Sequence, residues 1–218
     1  MADGRTLEAE CISHSVELPY GLTVAEVVSA VADTYRLLDG VNAFLTENGF
    51  RHLEELILGN SLSGLLSEFL VKNIASASPG LDANLKVGGH PDLLPHGKYD
   101  AGGVLKASEG IEVKASIQRG GWQGHNPEDC WVLVFRYVAG HYKESTWVHL
   151  QFVEVMCARL AKSEWSYSGR KGESRRTPTA SITRSGVEKL RRNYLYRLPG
   201  VGVGTHRSML AAPPPREG

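Results

Sequence analysis

The sequence predicts an α/β fold: a central mixed sheet flanked by helices, with a helical layer at the N-terminus. Three observations predict it. Apolar residues recur at helical spacing through residues 23–75, before any strand pattern begins. β-branched and aromatic runs bounded by Gly, Pro, Asn and Asp then follow from residue 89 onward. The two longest runs, 130–138 (CWVLVFRYV) and 146–157 (TWVHLQFVEVMC), are apolar and aromatic enough to be central strands.

Taken in order, residues 23–38 form the first helix, with Thr23 as N-cap and Glu26 three residues on, a capping-box pattern. Further helices are expected over 40–47, over 51–58 up to Gly59-Asn60, and over 62–75. Strands are expected at 89–94, 102–106, 110–117, 130–138 and 146–157. Residues 166–183 are rich in Ser, Thr, Gly and Arg and read as a loop or arm, and 185–195 returns to a short helix. The organisation is a helical region over 1–80, a strand-rich core over 81–160, a basic C-terminal region over 161–211 and a Pro-rich tail over 212–218 expected to be disordered, in one compact domain overall.

With 218 residues, 42% hydrophobic and 22% charged, the chain has an ordinary globular composition and enough length for a real core. No apolar run approaches a membrane span, and Met1-Ala2-Asp3-Gly4-Arg5 leads into no apolar signal region, so no membrane partner is expected. Cys11, Cys130 and Cys157 are scattered and odd in number, which fits reduced thiols and a cytoplasmic protein. The net charge of zero conceals an asymmetry: residues 159–197 hold 11 Lys and Arg against 3 Asp and Glu. Residues 1–80 hold 11 acidic and 4 basic residues. A basic stretch on an otherwise acidic chain suits a phosphate backbone. Arg170, Lys171, Arg175 and Arg176 lie in its most polar part and are the candidate phosphate contacts.

Chemistry points to Glu112-Val113-Lys114. Glu112 is the only acidic residue with a lysine two positions on. The surrounding Gly110-Ile111-Glu112-Val113-Lys114-Ala115-Ser116 has strand character, and residues two apart on a strand share a face, roughly 6–7 Å from each other. Glu112 and Lys114 then point one way and Val113 into the core. Pro91-Asp92 lies twenty residues upstream and offers a second carboxylate.

Pro91, Asp92, Glu112 and Lys114 together resemble the motif of the PD-(D/E)xK nuclease superfamily, which includes many type II restriction endonucleases. The resemblance is strongest over residues 86–138. It implies a restriction-endonuclease-like sheet, a Mg²⁺-dependent endonuclease acting on double-stranded DNA, most simply a sequence-specific homodimer, with Mn²⁺ as a substitute metal. It implies Asp92 and Glu112 as metal ligands, the Val113 carbonyl as a further ligand, and Lys114 acting on water and phosphate. Asp100 is a rival to Asp92, and Glu68 on the preceding helix is a candidate additional ligand. A repair, recombination or RNA-cleaving nuclease, or a non-catalytic nucleic-acid-binding module, is the alternative.

The loop Gly120-Gly121-Trp122-Gln123-Gly124-His125-Asn126 follows the lysine strand. Gln123, His125 and Asn126 suit base-edge contacts and Trp122 suits stacking or wedging; the other reading is a tight turn around a buried tryptophan. One departure from the family pattern concerns topology. Arg119 to Asp129 is too short and too broken by Gly and Pro for a crossover helix, so either the next strand is antiparallel or the helix comes later. His90 and His96 flank Asp92, with His90 a candidate neighbour of the metal.

Overall fold

The computed structural model describes residues 5–124, 126–139, 150–169 and 179–200. Among these, the protein is α/β, with four helices and a mixed six-stranded sheet. Helix α1 runs Val24–Glu47, α2 Leu53–Leu56 and α3 Gly59–Ala77. The predicted capping box forms: Thr23 Oγ1 accepts from Glu26 N at 3.2 Å, and Glu26 Oε2 accepts from Thr23 N at 2.8 Å. The expected break near residue 39 does not occur. Gly40 is exposed, and its propensity cost of about 1 kcal/mol is outweighed by burial of Tyr35 and Leu38 before it and Asn42 after it.

The strands follow: β1 Leu81–Ala83, β2 Leu93–Pro95, β3 Ile111–Ser116, β4 Gln123–Gly124, β5 Cys130–Val138, β6 Gln151–Leu160, β7 Trp165–Tyr167, β8 Ala180–Ile182 and β9 Tyr194–Arg197, with helix α4 at Arg184–Arg192. The large sheet has the order β1-β2-β3-β5-β6-β9, and β4-β8-β7 form a small second sheet. β5 and β6 lie inside the sheet, as their composition predicts. Residues 102–106 are not a strand. Gly103 closes the turn from Asp100 at positive φ, and the segment is held by one bridge, Lys106 to His90, and by the Asn84 side chain.

The open topological question resolves against an antiparallel neighbour: β5 runs parallel to β3, in register from Ile111–Trp131 to Ser116–Arg136. Parallel strands need a crossover of about a dozen residues, usually helical. Here the connection carries only β4, and α4, from much later in the chain, packs over β6 with the small sheet. The sheet therefore has two packed faces. Val113, Ala115, Leu133 and Phe135 point toward α1 and α3, while Val132, Val134 and Met156 point toward Trp122, Trp165, Val187 and Leu190. Among the described residues no helix is long and apolar enough to cross a membrane.

Candidate active site

Strand alternation decides where the charges go. Val113 is buried on the α1/α3 face, so Glu112 and Lys114 lie on the other face, opposite Val132 and Val134 of β5. β2 meets β3 antiparallel at Leu93–Ile111, which sets Asp92 opposite Glu112. Beyond that pair the β3 edge is open, and side chains take up its amides. Val113 N donates to Asp92 Oδ2 at 2.8 Å, and Ala115 N donates to Ser67 Oγ at 2.9 Å. A strand residue's N–H and C=O point to the same side. The Val113 carbonyl therefore faces the Asp92 side and is not spent on the β5 ladder.

The Asp92 segment is fixed from behind. Asn84 N donates to Asp92 O at 2.8 Å, while the Asn84 amide donates to the carbonyls of Pro91 and Val104, each at 2.9 Å. His90 N donates to Leu105 O at 3.1 Å, and Ala107 N to His90 O at 2.9 Å. These bonds aim His90 at the carboxylates. Its Nδ1 lies 2.8 Å from Glu112 Oε2 and its Nε2 3.0 Å from Glu128 Oε2. Lys114 Nζ donates to Glu112 Oε1 at 2.5 Å. The His90 contact is ionic but misaligned, so Glu112 Oε2 is buried without a hydrogen bond.

Electrostatics separate the two acids. Burial pushes the Glu112 carboxyl up, but His90 and Lys114 outweigh it and hold the group at about 2. Asp92 is pushed up to about 7, first by burial and then by the charge of Glu112; Lys114 and the Val113 amide only partly offset this. The pair shares one proton near neutrality, and the flanking cations place it on Asp92. Burial acts to lower the Lys114 pKa, but Glu112 and Asp92 reverse this and raise it. Contact with Glu112 chiefly raises His90, burial opposes it, and Glu128 and Asp92 add to it. Cys130 is pushed up to about 12 by burial and by Glu112 and Glu128, so it remains a thiol.

Among the described residues no three His, Cys, Asp or Glu side chains are grouped to hold a metal ion. The donors present still fit a hard divalent cation. Mg²⁺ commonly takes one or two carboxylates and completes its shell with water, and here the buried Glu112 carboxylate, the half-buried Asp92 carboxylate and the Val113 carbonyl lie together. A cation would replace the shared proton and add a second partner for Glu112 Oε2 beside His90.

Other expected site residues fall in different places. Asp100 is exposed at a turn whose carbonyl accepts from Gly103 N at 2.8 Å. Glu68 is exposed on α3, and it is its neighbour Ser67 that reaches β3. Neither is among the principal charges acting on Asp92 or Glu112. Trp122 does not offer a face for stacking or wedging: it is 2% exposed and donates from Nε1 to Gln118 O at 3.2 Å. The turn-with-buried-tryptophan reading holds. Two of the loop glycines serve this packing, since a Cβ on Gly120 would meet Val187 at 3.3 Å and one on Gly124 would meet Trp165 at 3.1 Å. Gln123 and Asn126 are exposed. His125, Arg170, Lys171, Arg175 and Arg176 lie outside the described residues. His96 pairs with Asp82 at 2.9 Å on the surface, away from the carboxylates.

Glu128 and Asn84 escaped the sequence reading. Neither carries a local motif, and both act through loop contacts. No protein-family model matches the chain, and no curated protein matches it.

Proposed function

We propose that this protein is a Mg²⁺-dependent endonuclease that hydrolyses phosphodiester bonds in double-stranded DNA, of the sequence-specific type II restriction kind, with Mn²⁺ as a substitute. The observation that carries the reading is the convergence of Asp92, Glu112 and Lys114 on one open strand edge. Those are the residues on which the PD-(D/E)xK resemblance rests, and a restriction-endonuclease-like fold is the architecture proposed with them. The parallel β3–β5 pair supports it, because that is the connectivity a crossover produces.

Asp92, Glu112 and the Val113 carbonyl would hold the ion. When bound, it supplies an activated water and charge relief on the phosphate. Lys114 is the mobile partner: exchanging Glu112 Oε1 for a phosphate oxygen or the attacking water keeps its ammonium neutralised and stabilises developing negative charge. His90, braced by Glu128, holds Glu112 in place.

Supercoiled plasmid incubated with the protein and Mg²⁺, with EDTA as control, tests the reading. Discrete linear bands support a restriction enzyme acting on both strands as a homodimer. A smear supports a nonspecific or repair nuclease, and preferential loss of an RNA substrate supports an RNA-cleaving one. Retarded but intact plasmid at all Mg²⁺ and Mn²⁺ concentrations would reduce the protein to a binding module.

A further inference from the structure

Glu112 and Lys114 share their sheet face with a second feature. Past the end of β3, the Arg119-Gly120-Gly121 turn lies against α4 and leaves an open groove of about 790 Å³. Ile182 and Val187 line its apolar side, and Arg119, Arg184, Arg191 and Arg192 supply charge. The one acid in the lining, Glu188, is taken by Arg184 at 2.9 Å. Gly120 forms the wall, where a Cβ would crowd Val187 at 3.3 Å.

We propose that this groove binds the sugar-phosphate backbone of the DNA strand that enters the carboxylate site, with Arg119 and Arg191 as the phosphate contacts. The identity of the ligand as DNA rests on the nuclease reading; the anion site itself stands on the lining of the groove and on the state of these two side chains. Arg191 Nη2 donates to the backbone carbonyl of Arg119 at 2.7 Å, which ties the Arg191 side chain to the turn. Arg119 Nη1 and Arg191 Nε are buried with no acceptor among the described residues. A buried donor left unmade costs about 1–3 kcal/mol, and an anion in the groove would give these donors an acceptor. Arginine forks match phosphate oxygens in pairs. The groove is open and shallow, which suits a polymer backbone better than an enclosed small molecule.

Its position also fits. Trp122, Val187 and Leu190 belong to the apolar cluster that contains Val132 and Val134, the strand neighbours of Glu112 and Lys114. Groove and carboxylates therefore lie on the same face of the sheet. Arg119 is five residues beyond Lys114, a reach of at most ~17 Å of chain. One DNA strand advances roughly 3.4 Å per nucleotide, so the contacted phosphates lie within about five nucleotides of the bond cut.

The test is duplex binding by fluorescence anisotropy in EDTA, over a range of salt, with cleavage in Mg²⁺ measured separately. The double variant Arg119→Gln/Arg191→Gln is expected to lose about tenfold in affinity and to flatten the slope of log K against log salt by one to two units, about 0.9 per phosphate lost. Arg184→Gln/Arg192→Gln, at exposed positions on α4, gives a smaller change in the same direction without touching buried packing. Arg51→Gln, on the N-terminal layer, is expected to change neither quantity. Unchanged affinity and slope in the folded α4 variants, or no duplex binding by the parent protein, overturns the groove. Cleaving protein whose groove variants bind normally refutes the groove and leaves the nuclease; groove-dependent binding by protein that cuts nothing does the reverse.

Discussion

On one face of the six-stranded sheet, Val113, Ala115, Leu133 and Phe135 meet α1 and α3 in an apolar cluster. On the other face, Glu112, Lys114, Arg136 and Glu154 alternate with Val132, Val134 and Met156. Both faces are buried, so the second carries a desolvation cost that the first avoids. Its charges are not matched evenly. At one end Asp92, Glu112 and Glu128 face, among the described residues, the cations Lys114 and His90. At the other, Glu154 is the acid that, among the described residues, answers both Arg136 at 2.5 Å and Arg197 at 3.2 Å, with Arg191 and Arg119 close behind through Arg197 Nη2 to Arg191 O at 2.9 Å. Excess acid at one end suits a cation and excess base at the other suits a phosphate chain. The α1/α3 face is built for stability, and the charged face is the one that carries the proposed chemistry.

Substitutions on each face sharpen or break that division. The largest expected effect is on activity: Asp92→Ala and Glu112→Ala each abolish plasmid cleavage while the circular dichroism spectrum and unfolding cooperativity stay parental. A Glu112→Ala protein that cuts normally would sink the mechanism, and normal cutting by Asp92→Ala with loss in Asp100→Ala would move the first ligand. Next is Phe135→Ala on the apolar face, expected to cost about 3–5 kcal/mol in denaturant unfolding with kcat little changed at temperatures where it remains folded. Lys114→Ala is expected to lose about 10²-fold in turnover yet still bind metal by calorimetry; a parental rate would make Lys114 a structural lysine.

A smaller effect concerns pH. Asp92 titrates in the folded protein at about 7, above its ordinary 3.8. Between those values the folded state holds a proton that the unfolded state has lost, so this group's contribution to stability falls as pH rises through 7. Asparagine cannot ionise. In EDTA, Asp92→Asn is therefore expected to exceed the parent in stability at pH 8, by on the order of 2 kcal/mol, and to match it near pH 4. Glu112 works the other way: held at about 2 against an ordinary 4.5, its stabilisation is present above 4.5 and lost as pH falls through 2. Parallel pH profiles for parent and Asp92→Asn would contradict the shared-proton description.

Much of this arrangement is legible in the sequence, and the failures have physical causes. Period-two alternation around Glu112 and Lys114 is local, and so is the Thr23/Glu26 capping box; both form as read. β1, β7 and β8 are three residues each, too short for a period to declare itself. Trp122 sits among glycines and polar residues, and its burial depends on partners from β5, β8 and α4. The missing crossover helix misleads because α4, which covers that face, lies more than fifty residues downstream of the connection it shields. Glu128 joins His90 across thirty-eight positions, through loops that no spacing rule describes.

The central claim is that the crowded acids on the charged face are held for a divalent cation. Calorimetric titration of Mn²⁺ near pH 6.5, repeated in buffers of different ionisation enthalpy, tests it most directly. The parent protein is predicted to bind the ion with release of up to one proton, the one shared on Asp92. Asp92→Asn is predicted to bind more weakly and to release none. Absence of binding by the parent, or equal affinity and equal proton release in Asp92→Asn, would contradict the account.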